Sequence, residues 1–147
     1  MYQFLVFVHV FSAVVWVGGA LFSEAIVSAA HRRGDTEYAR VYSLIAEAGA
    51  RVYPVATIAL IATAVAMVAQ RWSFGTLWID IALGLFVVTF GLGVGYFSPR
   101  GKSISRAVDS GEEGPELVAQ IRKVHRIQRL DLLILVAAVV LMVFKPI

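Results

Sequence analysis

The chain has 147 residues, 59% of them hydrophobic, no cysteine, and a formal net charge of +3. A mean hydropathy of +0.79 is too high for a domain whose surface faces water, and the absence of thiols excludes disulfides, iron–sulfur clusters and thiolate zinc sites. The basic balance does not point to nucleic acid, because the positive residues cluster between apolar segments in the manner of membrane topology.

Four apolar segments follow one another: Tyr2–Ala30, Val52–Ala69, Leu77–Phe97 and Leu130–Phe144. About 20 apolar helical residues cross a hydrocarbon core of ~30 Å. Only helices and closed barrels satisfy their backbone there. Thr57–Ala69 and Ile81–Val94 carry no charge on any face, whereas a soluble bundle keeps a polar stripe on each helix. The expected fold is all-α, a single four-helix transmembrane bundle over residues 1–147.

The first segment lacks a basic n-region and is longer than a signal h-region usually is. Ser28-Ala29-Ala30 imitates a cleavage site, but Arg32 and Arg33 fit a span that stays. His9 lies about two turns inside this span, at ~1.5 Å per residue. Trp16, Gly18 and Gly19 follow it. Seven residues are close to two helical turns, so His9 and Trp16 are expected on one face. Gly18 and Gly19 remove side chains and let a helix or a flat ligand come close. An ionisable side chain at this depth is a functional candidate. The competing reading is a neutral histidine bonded to a serine or a backbone carbonyl on a neighbouring helix.

The first loop, His31–Arg51, opens with Gly34-Asp35, a turn and an N-cap. Tyr38, Val41, Tyr42, Ile45 and Ala48 then recur at helical spacing into span two. Pro54 falls early in that span, and a short loop, Gln70–Thr76, leads to span three. There, Gly91-Leu92-Gly93-Val94-Gly95 has the GxxxG spacing that favours close helix packing. It lacks the strand–turn–helix context of a dinucleotide loop. Val17–Ser23 faintly echoes Gly93–Ser98, which raises the idea of a two-hairpin repeat.

The third loop, Ser98–Arg129, has a polar break at Asp109–Gly114, then Pro115 and Glu116 suited to a first helical turn. Leu117, Ile121, Val124 and Ile127 form one face of the helix that follows, and Arg122, Lys123, Arg126 and Arg129 crowd the rest. The expectation is an amphipathic helix on the anionic inner leaflet, each basic residue contributing ~1 kcal/mol. The plainer reading is a topology anchor. Loops one and three together hold eleven of the thirteen Lys and Arg, leaving Arg71 and Lys145 at the other face. Both termini are therefore expected outside, with two basic inner loops carrying helical extensions.

Depth matching suggests what surrounds His9. The outer half of the bundle gathers His9, Met67, Asp80 and Met142 if they point inward. Imidazole and thioether are a haem axial pair. They also suit copper, with Asp80 as a harder extra ligand. Either Met also reads as packing, and Asp80 as a partner of Arg71 or Lys145. The inner half holds Glu24, Arg51 and Asp131, with Glu24–Arg51 or Asp131–Arg51 as expected pairs and a proton path as the alternative. His125 lies on this side, most of a membrane thickness from His9, so one haem cannot use both within one chain. No Ser/His/Asp triad or paired-carboxylate site is evident.

The pattern His9-x6-Trp16-x-Gly18-Gly19, Pro54, Trp72-x5-Trp78 and Met142-Val143-Phe144-Lys145-Pro146 resembles a bacterial family of predicted four-span membrane proteins of unknown function, over essentially the whole chain. A wider group looks similar: the CopD-type copper-resistance membrane domains and the HemJ-type protoporphyrinogen oxidases. HemJ-type proteins share a His-x6-Trp pattern in the first span and a Lys-Pro ending. That resemblance implies haem b, electron transfer to the membrane, and His9 as haem ligand. Those proteins carry a His and a Lys early in span three, where this chain has Trp78, Asp80 and Ala82. The departure argues against porphyrinogen oxidation here.

The leading functional expectation is a b-type haem site with His9 as axial ligand, Met67 or Met142 as second ligand, and Trp16, Gly18 and Gly19 beside it. Its role would be membrane electron transfer or support of a redox complex. A second expectation is copper binding or transport through His9, Met67, Asp80 and Met142. A third is a cofactor-free accessory subunit. Expected partners are the lipid bilayer, anionic lipid at the basic helix, and a second copy or a larger membrane complex. The expected location is a bacterial inner membrane.

Overall fold

The computed structural model describes residues 1–71 and 75–145. Trp72 and Pro146 of the family pattern lie outside the described residues. Four helices of membrane-crossing length and apolarity follow in order: α1 Tyr2–His31, α2 Asp35–Arg71, α3 Leu77–Asp109 and α4 Pro115–Phe144. No strand occurs among the described residues. This is the all-α, four-span architecture expected from the apolar segments.

The helix ends follow local chemistry. Gly34 adopts φ 134°, and its carbonyl accepts the Tyr38 N–H at 3.0 Å to start α2. At the end of α3, Gly111 has φ 76°. There the Glu112 N–H donates to the Ala107 carbonyl at 2.9 Å and the Gly111 N–H to Val108 at 3.0 Å. That is a Schellman ending, which needs a residue tolerant of the left-handed region. Pro115 opens α4 in its first turn, with Glu116 beside it.

The 37 residues of α2 reach about 55 Å at ~1.5 Å each, well beyond a core of ~30 Å. At the basic end, α2, α3 and α4 run on into charged stretches beyond their apolar ones. There they build a core of their own. Tyr38, Tyr42, Ile104, Leu117, Ile121 and Val124 are buried together, with Val27 of α1 closing the base. This corrects one expectation. The apolar face of the basic helix is covered by α2 and α3 and does not lie on lipid. The periodicity of Leu117, Ile121 and Val124 is as read; the surface that covers it is protein. Arg122, Lys123, Arg126 and Arg129 stay exposed on the outside.

At bilayer depth α1 packs along α2, and α3 along α4, giving two hairpins. Each hairpin has one helix interrupted by a single π turn, at Val14–Gly18 in α1 and at Gly93–Phe97 in α3. A π turn fits an extra residue into one turn and shifts the face that follows. The GxxxG run does not bring helices together: a Cβ on Gly91, Gly93 or Gly95 would meet nothing within 4 Å. Its clearest structural correlate is the π turn that begins at Gly93.

Candidate functional site

His9 faces α2. Its Nδ1 lies 3.2 Å from the Leu60 carbonyl and 3.1 Å from the Thr63 hydroxyl. A carbonyl only accepts, so Nδ1 carries the hydrogen. Thr63 commits its own hydrogen to the carbonyls of Ala59 at 2.7 Å and Leu60 at 3.0 Å, so its oxygen is the second acceptor. The network thus assigns the tautomer. The lone pair sits on Nε2, which has no hydrogen-bond partner among the described residues. A ring whose one N–H is held by a carbonyl, with the opposite nitrogen unengaged, is oriented as metal-ligating histidines are.

The other expected site residues are placed as follows. Trp16 sits inside the π turn and meets Phe86 of α3 edge-on, with centroids 5.5 Å apart. The register shift sends Trp16 toward the second hairpin while His9 serves the first, so the single shared face read from ideal spacing is split between two neighbours. Gly19 admits the Tyr53 phenol, whose oxygen would lie 3.2 Å from an added Cβ; at Gly18 a Cβ would meet nothing within 4 Å. Gly18→Ala is therefore expected not to lower the melting temperature in detergent. Gly19→Leu is expected to displace Tyr53 at a cost of about 1–3 kcal/mol. Equal melting temperatures for the two variants would contradict this packing.

Met142 lies on the wall of an apolar cleft between the hairpins, with Trp16 and Leu60 facing Phe86 and Leu135 across it. Met67 is half-buried on α2 and off that wall. Asp80 is exposed, and its carboxylate accepts the Gly75 N–H at 3.4 Å. The cations expected beside it lie over rings: Arg71 4.3 Å from the Tyr2 centroid and Lys145 5.7 Å from that of Trp78. Among the described residues no three His, Asp or Glu side chains gather as a metal group.

These placements test the cofactors. His9 has the chemistry of a haem ligand but does not line the cleft that Met142 lines. The cleft encloses only about 40 Å³, whereas sites for ligands of drug size run to ~300 Å³ and more. A porphyrin would fit only if the two hairpins part. An exposed Asp80 leaves copper a poorer donor set than the four residues read from depth alone.

A second polar constellation lies where α1 reaches the basic end. The Glu24 carboxylate accepts from Ser28 Oγ at 2.7 Å, from Arg129 Nε at 2.7 Å and from His125 Nε2 at 2.6 Å. Arg129 also donates to Ser28 Oγ at 3.0 Å. The Tyr38 hydroxyl lies 2.9 Å from His125 Nδ1, and its ring packs on His31 with centroids 4.6 Å apart. The expected Glu24–Arg51 pair is thus replaced by Glu24–Arg129 and Glu24–His125, with Arg51 exposed. Asp131 does not meet Arg51 either; its Oδ1 is buried without a hydrogen-bond partner among the described residues. Tyr38 was legible as part of an apolar face, but its hydroxyl role was not, since periodicity shows which side of a helix is covered and not what the covering residues offer.

A family model described as "Predicted integral membrane protein (DUF2269)" matches residues 3–146. No curated protein and no solved structure matches the chain.

Proposed function

The chain belongs to the DUF2269 family of predicted integral membrane proteins, and from that premise we propose that it binds a b-type haem in the membrane and serves electron transfer or a redox complex. The observation that supports this most is His9: Nδ1–H is held by Leu60 and Thr63, and Nε2 has no hydrogen-bond partner among the described residues. His9 and Met142 are the residues that would hold the haem; Met142 and Trp16 line the cleft between the hairpins, and His9 lies off that wall. The group would supply a one-electron couple whose potential follows its axial ligands and its burial. The chain's own work is to fix the imidazole tautomer and to exclude water with an apolar wall. The likeness of His9-x6-Trp16 to HemJ-type proteins adds to this reading. Porphyrinogen oxidation is not part of it, because Trp78, Asp80 and Ala82 stand where HemJ-type proteins carry a His and a Lys.

The visible spectrum in mild detergent, oxidised and reduced, tests the proposal. A Soret band that moves on reduction and is absent from His9→Ala supports it; a band unchanged in His9→Ala overturns the ligand assignment. A colourless protein supports a second reading, a cofactor-free accessory subunit, which the narrow cleft favours. Retained copper in a colourless protein would favour copper binding through His9.

We place the basic end in the cytoplasm of a bacterial inner membrane, from the Lys/Arg bias of loops one and three. The exposed Arg122, Lys123, Arg126 and Arg129 then face anionic headgroups and solvent. A cysteine at Ser103, exposed on α3, is expected to resist an impermeant maleimide in intact cells and to react after permeabilisation. Labelling in intact cells reverses the orientation.

A further inference from the structure

We propose that Glu24, His125 and Tyr38 form a proton-binding site at the basic end, and that taking up one proton reverses the Tyr38–His125 hydrogen bond. This goes beyond the haem reading and does not depend on it, because the site lies toward the opposite end of α1 from His9.

The directions of the hydrogen bonds carry the inference. Glu24 Oε2 lies 2.6 Å from His125 Nε2. Arg129 and Ser28 donate to the other oxygen, so the carboxylate is an acceptor held in its ionised form and Nε2 carries a hydrogen. In the neutral imidazole Nδ1 is then a lone pair, and the Tyr38 hydroxyl donates to it across 2.9 Å. A proton from water that ends on Nδ1 makes both ring nitrogens donors. The Tyr38 oxygen must then accept, and its own hydrogen must turn to a new acceptor. The cluster of Glu24, Arg129 and His125 gains one positive charge, and no bond between heavy atoms changes.

Tyr38 is 1% exposed, so that reorientation takes place inside the packed core. It acts on the contact between α2 and α4. The cluster is open on the carboxylate side, where the Glu24 side chain is 23% exposed and that of Arg129 is 56% exposed. The charged and titratable groups acting on His125 are Glu24 and His31 from α1, Tyr38 from α2 and Arg129 from α4; Arg122 acts on Tyr38, and Tyr96 of α3 acts on Tyr42 beyond it. Burial lowers the His125 pKa from its ordinary value, and the Arg129 and His31 charges push the same way; the Glu24 carboxylate opposes them. The contribution to stability is therefore complete above the ordinary value of ~6.5 and fades as pH falls through the lower folded-state value.

The test is an NMR titration of the whole protein in lipid nanodiscs with 15N-labelled histidine and 13C-labelled tyrosine. The chain has three histidines, and His9→Gln and His31→Gln assign the third. The expected result is one protonation of His125 at Nδ1 as the pH is lowered from about 8 to about 4, with the midpoint below the ordinary histidine value of ~6.5, Nε2–H retained and the Tyr38 signal moving at the same midpoint. Glu24→Gln is expected to reduce the proton affinity about tenfold. A His125 ring that keeps one protonation state over that range, or that titrates while Tyr38 stays still, overturns the proposal. The wild-type titration decides the matter even if Glu24→Gln does not fold.

Discussion

Truncating Ile121 to alanine is expected to loosen the basic-end extension by about 3 kcal/mol, within the range for buried Ile→Ala changes. Ile121 is fully buried between α2, α3 and α4, beside Val124 and Ile104, which are buried to the same degree. The neighbouring Arg122, Lys123 and Arg126 are exposed and give trypsin its sites. When opening and closing are fast, cleavage follows the population of the open form. Trypsin digestion of the protein in detergent should therefore run roughly a hundredfold faster in Ile121→Ala, since ~1.4 kcal/mol is a factor of ten. Ile127→Ala, at a half-buried position, should accelerate it much less. Equal rates for wild type and Ile121→Ala would restore the picture of a helix resting on lipid.

Removing the carboxylate at the mouth of the extension is the second large effect. Glu24→Leu strips acceptors from Ser28, Arg129 and His125 at once. Breaking a fully buried pair costs ~3–5 kcal/mol. Here the Arg129 side chain is 56% exposed, and water compensates it, so a loss on the order of 2 kcal/mol is expected. The double variant Glu24→Leu/Arg129→Leu should recover part of that loss, because the uncompensated cation is gone as well. Thermal melts in one detergent measure all three chains. A double variant less stable than Glu24→Leu would mean that Arg129 has favourable contacts of its own that outweigh the pair.

The spans were legible because membrane crossing is a matter of length and composition, and Thr57–Ala69 and Ile81–Val94 satisfy both without a charge. The turns were legible because Gly34 and Gly111 sit where a positive φ is required. Rotation about each helix axis was not legible. It decides that Glu24 meets Arg129 and His125 and not Arg51, and spacing along one helix says nothing about its neighbour's angle. The π turn at Val14–Gly18 left no mark that an ideal 3.6-residue count could detect, so His9 and Trp16 read as one face when they serve two neighbours. The periodicity of Leu117, Ile121 and Val124 showed a covered face, and lipid or protein can cover such a face equally well. His9 itself was found as an imidazole in hydrocarbon; that its N–H meets Leu60 and Thr63 depends on contacts between helices 51 and 54 positions apart in the chain.

The most direct test of the functional account is a titration of haem into purified, haem-free protein in nanodiscs, followed by absorbance. Wild type is expected to saturate at one haem per chain, Met142→Leu to give an altered bound spectrum, and His9→Ala to show no saturable binding. Saturable binding of equal strength and unaltered spectrum in His9→Ala, or none in the wild type, would contradict the haem reading.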